Sequence, residues 1–300
     1  AKAISDRLMG EALFIRGFAH FYLTNLYGAV PLALTADYRV TRSLPREPEN
    51  RIYEQVGRDL LQAYESLPED YGFVENERIR PTRWAAAALL ARVYLYQKRW
   101  EEAIEKADEV IGQKSLYRLL EEPEDVFQKN SPEAIWQLLP FHTARDTYEA
   151  FYAIPVASSQ APPAYTLTDA LLSRFEDGDG RKRAWIGWFV PVNDPTSYPY
   201  PYKYKIRQTA TSGVHHEYSM ILRLAEQYLI RAEAYAEMGN LEIAKADVDL
   251  LRAAHGRISG IVANSKADVL AAIEKERMIE FFHEWGHRWL DLKRWGRADK

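Results

Sequence analysis

Three hundred residues, 47% hydrophobic and 27% charged, make a globular chain and exclude an intrinsically disordered one. Lys plus Arg number 39 against 43 Asp plus Glu, a formal charge of -4, so no basic excess points to nucleic acid or an anionic membrane. Cysteine is absent, which excludes disulfides, thiol nucleophiles and thiolate metal sites, and no apolar run approaches the roughly 18 residues of a membrane span.

The chain begins at Ala1 with no initiator Met, which reads as processing or trimming. Residues 6–27 carry Leu13, Phe14, Gly17, Phe18, Phe21, Tyr22 and Leu26 at helical spacing, and Gly28 with Pro31 ends that helix. A second helix is predicted over 52–66, stopping before Pro68. Residues 82–111 read as two helices with a break near Lys98 and Arg99. Ala91, Tyr94 and Ala103 there recur as Ala232, Tyr235 and Ala244 within a later helical stretch, 222–254. Small-aromatic-small at this spacing marks the tetratricopeptide helical hairpin, whose small residues let paired helices approach. The later copy adds the motif's turn glycine, Gly239; Lys98 stands in its place in the first. Ala91 and Ala232 lie about 140 residues apart, against roughly 34 for a tandem array, so the copies are not successive units of an uninterrupted solenoid. The first helix and a last one over 268–295 complete two further hairpins.

Residues 115–217 change character. "SPEAIWQLLPF" (131–141) holds a strand-like run, and 154–208 is dense in Pro, Gly and aromatics. A turn-rich excursion of this length within a helical chain is where ligand contacts are expected. The division predicted is one domain over 1–300, with 1–114 and 218–300 as helical scaffold and 115–217 as a ligand-side insert. Eight Trp, 19 Tyr and 11 Phe supply both a core and a stacking surface. In "YPYPYKYK", Tyr198, Tyr200, Tyr202 and Tyr204 alternate along a Pro-stiffened segment, and "WIGWF" contributes Trp185 and Trp188. These rings form either a platform for sugar faces or a pin that holds the excursion to the helices.

Three constellations invite catalytic or metal readings. In "FEDGDGRKR", Glu176, Asp177 and Asp179 are followed by Arg181, Lys182 and Arg183 where a calcium loop needs further oxygen ligands, so a turn held by an acid–Arg pair is expected. His215 and His216 are expected on solvated surface. His283, Glu284 and His287 spell H-E-x-x-H, and a single helix over 268–295 would set both histidines on one face. A third ligand is missing: Leu290 and Lys293 occupy the metzincin positions, and only Asp291 and Asp299 follow among acids. A structural reading accounts for more residues. Met278, Phe281, Phe282, Trp285, Trp289 and Leu292 make an apolar stripe, and Glu284, Arg288 and Asp291 a charged rail, with Asp291 pairing Arg288 and Arg294. No metal is expected. Nor is there a Gly-rich phosphate loop or a G-x-S-x-G elbow.

The blocks "EALFIRGFAHFYLTNLYGAVPL", "PTRWAAAALLARVYLYQKRWEEAI", "SPEAIWQL", "YPYKYKIR", "ILRLAEQYLIRAEAYAEMGN" and "IEKERMIEFFHEWGHRWLDLKRWG" resemble, in this order, the SusD/RagB family. In the last block Glu276, Arg277, Glu280, Glu284, Gly286, His287, Arg288, Asp291 and Arg294 match the family pattern, whereas histidine is not required at His283. The resemblance implies a mainly α fold: about four tetratricopeptide-like hairpins forming an α–α superhelix, with a loop-rich insert containing short strands. It implies no catalysis and no cofactor. Such proteins bind oligosaccharide or polysaccharide at the bacterial surface and deliver it to a TonB-dependent, SusC-like outer-membrane transporter, held to the membrane only by an N-terminal lipid. The family has segments before and after the blocks matched here, so the chain reads as truncated at both ends. Its glycan contacts are not carried by motifs. The candidates are therefore Tyr148, Tyr152, Trp185, Trp188, Tyr198 and Tyr200, with Phe151 beside them. The alternative is a tetratricopeptide-type scaffold that binds a protein or peptide.

Overall fold

The computed structural model describes residues 2–209 and 211–298. Helix α1 (Lys2–Tyr27) buries Leu13, Phe14, Gly17, Phe21 and Thr24 along one face and stops at Gly28, whose φ of 74° suits glycine. A small ribbon of β1 (Val30–Pro31) and β2 (Arg46–Glu47), with α2 (Tyr38–Thr41) between them, leads into α3 (Glu49–Ser66). Helices α1 and α3 pack closely because Gly17 admits Leu60; a Cβ at Gly17 would stand 3.1 Å from the Leu60 side chain. Helix α4 (Arg83–Tyr96) is buried on every side from Trp84 to Leu95, as its unbroken run of Ala and Leu requires, and α5 (Trp100–Ile111) packs back on it through Ala103, Ala107 and Val110.

Lys98 turns the chain between α4 and α5 with φ at 59°, the left-handed conformation that Gly239 adopts at the equivalent turn with φ at 87°. An L side chain costs about 1 kcal/mol there, and the Lys98 side chain is exposed. Lys98→Gly is therefore expected to stabilise the protein by about 0.5–1 kcal/mol, read as a higher urea midpoint. A lower midpoint would show that the lysine side chain contributes more than its backbone costs.

From residue 112 the chain leaves the helical stack. It forms β3 (Ala134–Leu138), α6 (Tyr148–Ala153), α7 (Asp169–Leu172), α8 (Gly180–Trp185), β4 (Ile186–Phe189), β5 (Tyr198–Pro201) and β6 (Ser219–Arg223). The excursion is tied at its neck: β3 pairs antiparallel with β6, Ala134 opposite Arg223 and Leu138 opposite Ser219. Strand β4 pairs with β5, Ile186 opposite Pro201 and Phe189 opposite Tyr198. Helices α9 (Leu224–Glu237) and α10 (Leu241–Leu251) then resume the stack, and α9 packs directly on α5. Hairpins 140 residues apart in sequence are thus neighbours in space. A single π turn, Arg252–Gly256, follows α10, and α11 (Lys266–Glu280), opened by a capping box at Ser265 and Asp268, packs on α9 and α10. Buried apolar residues form one cluster under α1 to α5, a second within the excursion against Ile279 and Phe282, and a third among α9, α10 and α11.

The expected single helix over 268–295 is two. Helix α11 ends at Glu280 and α12 (His287–Arg294) starts after a turn in which His283, Trp285 and Gly286 have φ values of 57°, 39° and 71°. His283 and His287 therefore do not share a helical face, and the premise of the zinc motif is gone. The charged rail dissolves with it. Asp291 does bond Arg294, at 2.8 Å, but its second partner is Arg277, at 2.8 Å, while Arg288 reaches Glu274 at 3.2 Å. Trp289, assigned to the apolar stripe, is exposed. Asp299 lies outside the described residues. The tyrosine alternation also ends early: β5 stops at Pro201, and Tyr204 is buried with its hydroxyl oxygen accepting the Met220 N–H.

Candidate functional site

Beyond β3 the chain turns outward through Leu139 and Pro140, leaving Phe141 81% exposed. Thr147 then caps α6, its hydroxyl oxygen accepting the Ala150 N–H at 3.1 Å, and this start sets Tyr148 and Tyr152 one turn apart on the same face. Three rings line up. Phe141 and Tyr148 have centroids 5.6 Å apart, and Tyr148 and Tyr152 lie nearly parallel, 5.9 Å apart at 20°. That separation belongs to an offset stack, which leaves ring area open to a flat ligand. Phe151 stands edge-on to Tyr152 at 5.2 Å. The hollow beside the row, about 130 Å³ and lined by Leu139, Phe141, His142 and Tyr148, is smaller than pockets that enclose a whole ligand, so a ligand would lie along the rings.

A buried carboxylate staples this segment in place. Asp146 accepts the backbone N–H of His216 at 2.8 Å and of Glu217 at 2.9 Å, and its other oxygen lies 3.0 Å from His215 Nδ1. His215 is thus half-buried and engaged rather than solvated, while His216 is exposed as expected. Glu217 in turn accepts the N–H groups of Lys205 and Ile206. Burial, with Asp146 nearby, pushes its carboxyl up to about 7 against the pull of those N–H groups.

The remaining candidates scatter. Trp185 cannot meet a ligand: it is 0% exposed, packed 5.7 Å from Phe127, with its indole N–H donated to the Pro123 carbonyl at 2.8 Å. Trp188, three residues on, faces solvent beside an open groove lined by Lys182, Arg183 and Arg257. Tyr200 lies flat on Gly187, where a Cβ would collide with its ring at 2.2 Å, and Tyr198 donates its hydroxyl to Asp194 at 2.7 Å. Both half-buried tyrosines pin β5 to what surrounds it. Phe141 was not visible in the sequence. Its one signal is an apolar run, Leu138 to Phe141, that continues past a strand's end and through a proline.

The acids of the last block meet elsewhere, in a buried ionic hub that joins α11 to the excursion. Glu280 accepts Arg223 Nη1 at 2.6 Å, Arg181 Nη1 at 2.9 Å and His255 Nδ1 at 2.9 Å. Glu284 bonds Arg223 and Lys203, and Glu276 bonds Arg181 and Arg252. Asp179 closes a bidentate pair with Arg181, and Glu176 pairs with Arg252 and Lys275, the acid–Arg turn expected there. Arg277 and Arg294 hold Asp291, and Arg294 also holds Glu233 at 2.6 Å. His287 stacks on Phe281 at 4.6 Å; burial and the surrounding arginines hold its pKa well below the usual range. The hub thus takes up Glu276, Glu280 and Glu284 of the last sequence block.

A model of the SusD family matches residues 189–300, and one described as "Starch-binding associating with outer membrane" matches residues 2–95. "SusD-like protein P25" of Formosa agariphila is 33% identical over 138 residues, 44% of this chain and 25% of that protein. "SusD-like protein" of Bacteroides ovatus is 30% identical over 103 residues, 33% of this chain and 18% of that protein. The matches therefore span a quarter or less of these relatives' length. Among solved structures, a SusD superfamily protein from Bacteroides vulgatus superposes over 100% of this chain and 69% of its own, with a TM-score of 0.83 at 25% identity. One described as "Laminarin binding SusD-like protein" superposes over 99% of this chain and 72% of its own, with a TM-score of 0.77 at 24% identity. The two family matches take in the first helices and the last sequence block, and the superposition runs through the excursion between them: the chain belongs to the SusD family.

Proposed function

We propose that the chain binds oligosaccharide without catalysing its breakdown, on the row formed by Phe141, Tyr148 and Tyr152. The row carries this reading. Sugar C–H faces pack on open aromatic faces, and the nearest carboxylates are committed to the fold, Asp146 to backbone N–H groups and Glu149 to the Ser219 hydroxyl. A matching family model described as starch-binding and a similar structure described as laminarin-binding support a polysaccharide ligand. In this proposal residues 1–114 and 218–300 serve as scaffold and 115–217 carry the ligand. The full protein sits at the outer-membrane surface through a lipid anchor and passes its cargo to a TonB-dependent, SusC-like transporter.

Calorimetric titration with laminarin and starch oligosaccharides tests the row. A Kd between millimolar and micromolar is expected, about -4 to -8 kcal/mol. Two stacked rings at about 1 kcal/mol each make the double variant Tyr148→Ala/Tyr152→Ala roughly thirtyfold weaker. Unchanged sugar binding in that variant would remove the row from the site and place the sugar elsewhere on the chain; no sugar binding in the parent would favour the scaffold that binds a protein or peptide.

A further inference from the structure

One flank of the ring row is cationic. Arg145 lines the hollow beside Phe141 and Tyr148, and its guanidinium carbon lies 3.6 Å from the Phe151 ring centroid. Arg207 lies 4.5 Å from the same centroid and donates Nε–H to the Ile154 carbonyl. Both charges therefore sit within a disaccharide's span of each other. Among the described residues neither guanidinium has a carboxylate within ion-pair distance. Nearby acids are occupied: Asp146 by His215 and the 216–217 backbone, Glu149 by Ser219, Glu217 by the 205–206 backbone. Half-buried Arg16 and Arg231 are matched by Asp59 and Asp247, and Arg78, which also lies over aromatic rings, spends its guanidinium on the Ala134 and Leu116 carbonyls, whereas no such acceptor meets Arg145 among the described residues. Aromatic faces hold cations only weakly, and two like charges against one ring repel each other.

We infer that this flank reads a negatively charged group on the bound sugar, the carboxylate of a uronic acid or a sulfate ester, with Arg145 as its principal contact. The inference rests on the ring row as the sugar platform. A guanidinium presents a planar fork that matches either oxyanion bidentately, and stacking on Phe151 orients that fork in advance. The chain as a whole carries a net charge of -4, so a polyanionic glycan finds its attraction in a local patch such as this one.

The test uses matched pairs: an oligogalacturonate and its methyl ester, and a sulfated galactan oligosaccharide and its desulfated form. Calorimetry at low salt and at high salt compares the parent with Arg145→Gln, Arg145→Lys and Tyr148→Ala/Tyr152→Ala. In the parent one charged form is expected to bind about tenfold tighter than its neutral counterpart, with the gap narrowing at high salt; which pair shows it separates carboxylate from sulfate. Arg145→Gln is expected to close the gap without weakening the neutral form. Arg145→Lys should keep part of it, and the ring variant should weaken charged and neutral forms alike. The inference falls if the parent binds neither charged probe, if it binds neutral forms as well as charged ones, or if Arg145→Gln weakens both forms equally. Neutral binding that still depends on the rings would then leave the platform standing; binding indifferent to the rings would remove the platform itself.

Discussion

Glu280→Ala is expected to lower the unfolding free energy by about 4 kcal/mol, the largest effect of any single truncation in the last sequence block. The side chain is buried at the centre of the hub and meets Arg223, Arg181 and His255 at 2.6–2.9 Å. Burial alone would raise its pKa; the cations around it outweigh that and hold it well below the ordinary carboxylate range, so it is ionised. Removing it leaves three buried cations competing for Glu133, Asp179, Glu276 and Glu284, in an interior where water cannot replace the lost charge. Arg288→Ala in the same block makes the contrast. Its ion pair with Glu274 lies at the surface, and its loss should cost under 1 kcal/mol. Urea denaturation of both variants decides the matter. If Glu280→Ala unfolds within 1 kcal/mol of the parent, the hub is not what joins α11 to the excursion. Should Glu280→Ala fail to fold at all, Glu280→Gln retains the shape without the charge and should lie between it and the parent.

The parts of the fold governed by local rules were legible in the sequence, and the parts governed by distant partners were not. Helix α1 with its stop at Gly28, the break at Lys98 and the hairpin echoed at Ala232 and Tyr235 each follow from spacing within a few residues. The turn at 281–286 does not. Gly286 is a local breaker within it, but nothing in the residue types announces left-handed His283 and Trp285, and Glu284 between them is held by Lys203 and Arg223, 81 and 61 residues away in sequence. Only the buried sums of such contacts offset left-handed backbone at His283 and Trp285. The site divides the same way. Tyr148 and Tyr152 were legible as aromatic excursion residues and fall together because one helical turn separates them. Trp185 and Trp188 carry the same residue type three positions apart, and only packing against Phe127 and Lys203 shows which is buried. Phe141 reaches the row through a turn with no period to read. His255, which bridges two carboxylates, sits in a π turn that the sequence does not announce.

That histidine makes stability fall as pH rises through neutrality. His255 is buried with Nε2 2.5 Å from Glu133 and Nδ1 2.9 Å from Glu280, so each ring nitrogen donates and the imidazole is charged. Burial pulls its pKa down, but the two carboxylates outweigh burial and hold it at about 9, against 6.5 for the unfolded chain. The folded state thus binds a proton that the unfolded state releases between those values. The resulting stability, about 3 kcal/mol, is complete below pH 6.5 and is lost as pH rises through 9. Glu217, held up at about 7, adds loss in the same direction from 4.5 to 7. Lys203 and Lys205, both lowered to about 8 by burial, act oppositely: above 8 they are neutral in the folded state while still charged in the unfolded one, so stability recovers toward 10.5. These contributions overlap between 7 and 8, so the share of His255, about -1.4 kcal/mol per pH unit in urea unfolding free energy, is read as a difference between the parent and a variant that lacks the imidazole. The stability advantage of the parent over His255→Gln should shrink by about 1.4 kcal/mol per pH unit from 7 to 8, since the other titrating groups are common to both. A difference between the parent and His255→Gln that stays constant from 7 to 8 would mean that the imidazole enters the hub neutral and that Glu133 and Glu280 are balanced by the arginines alone.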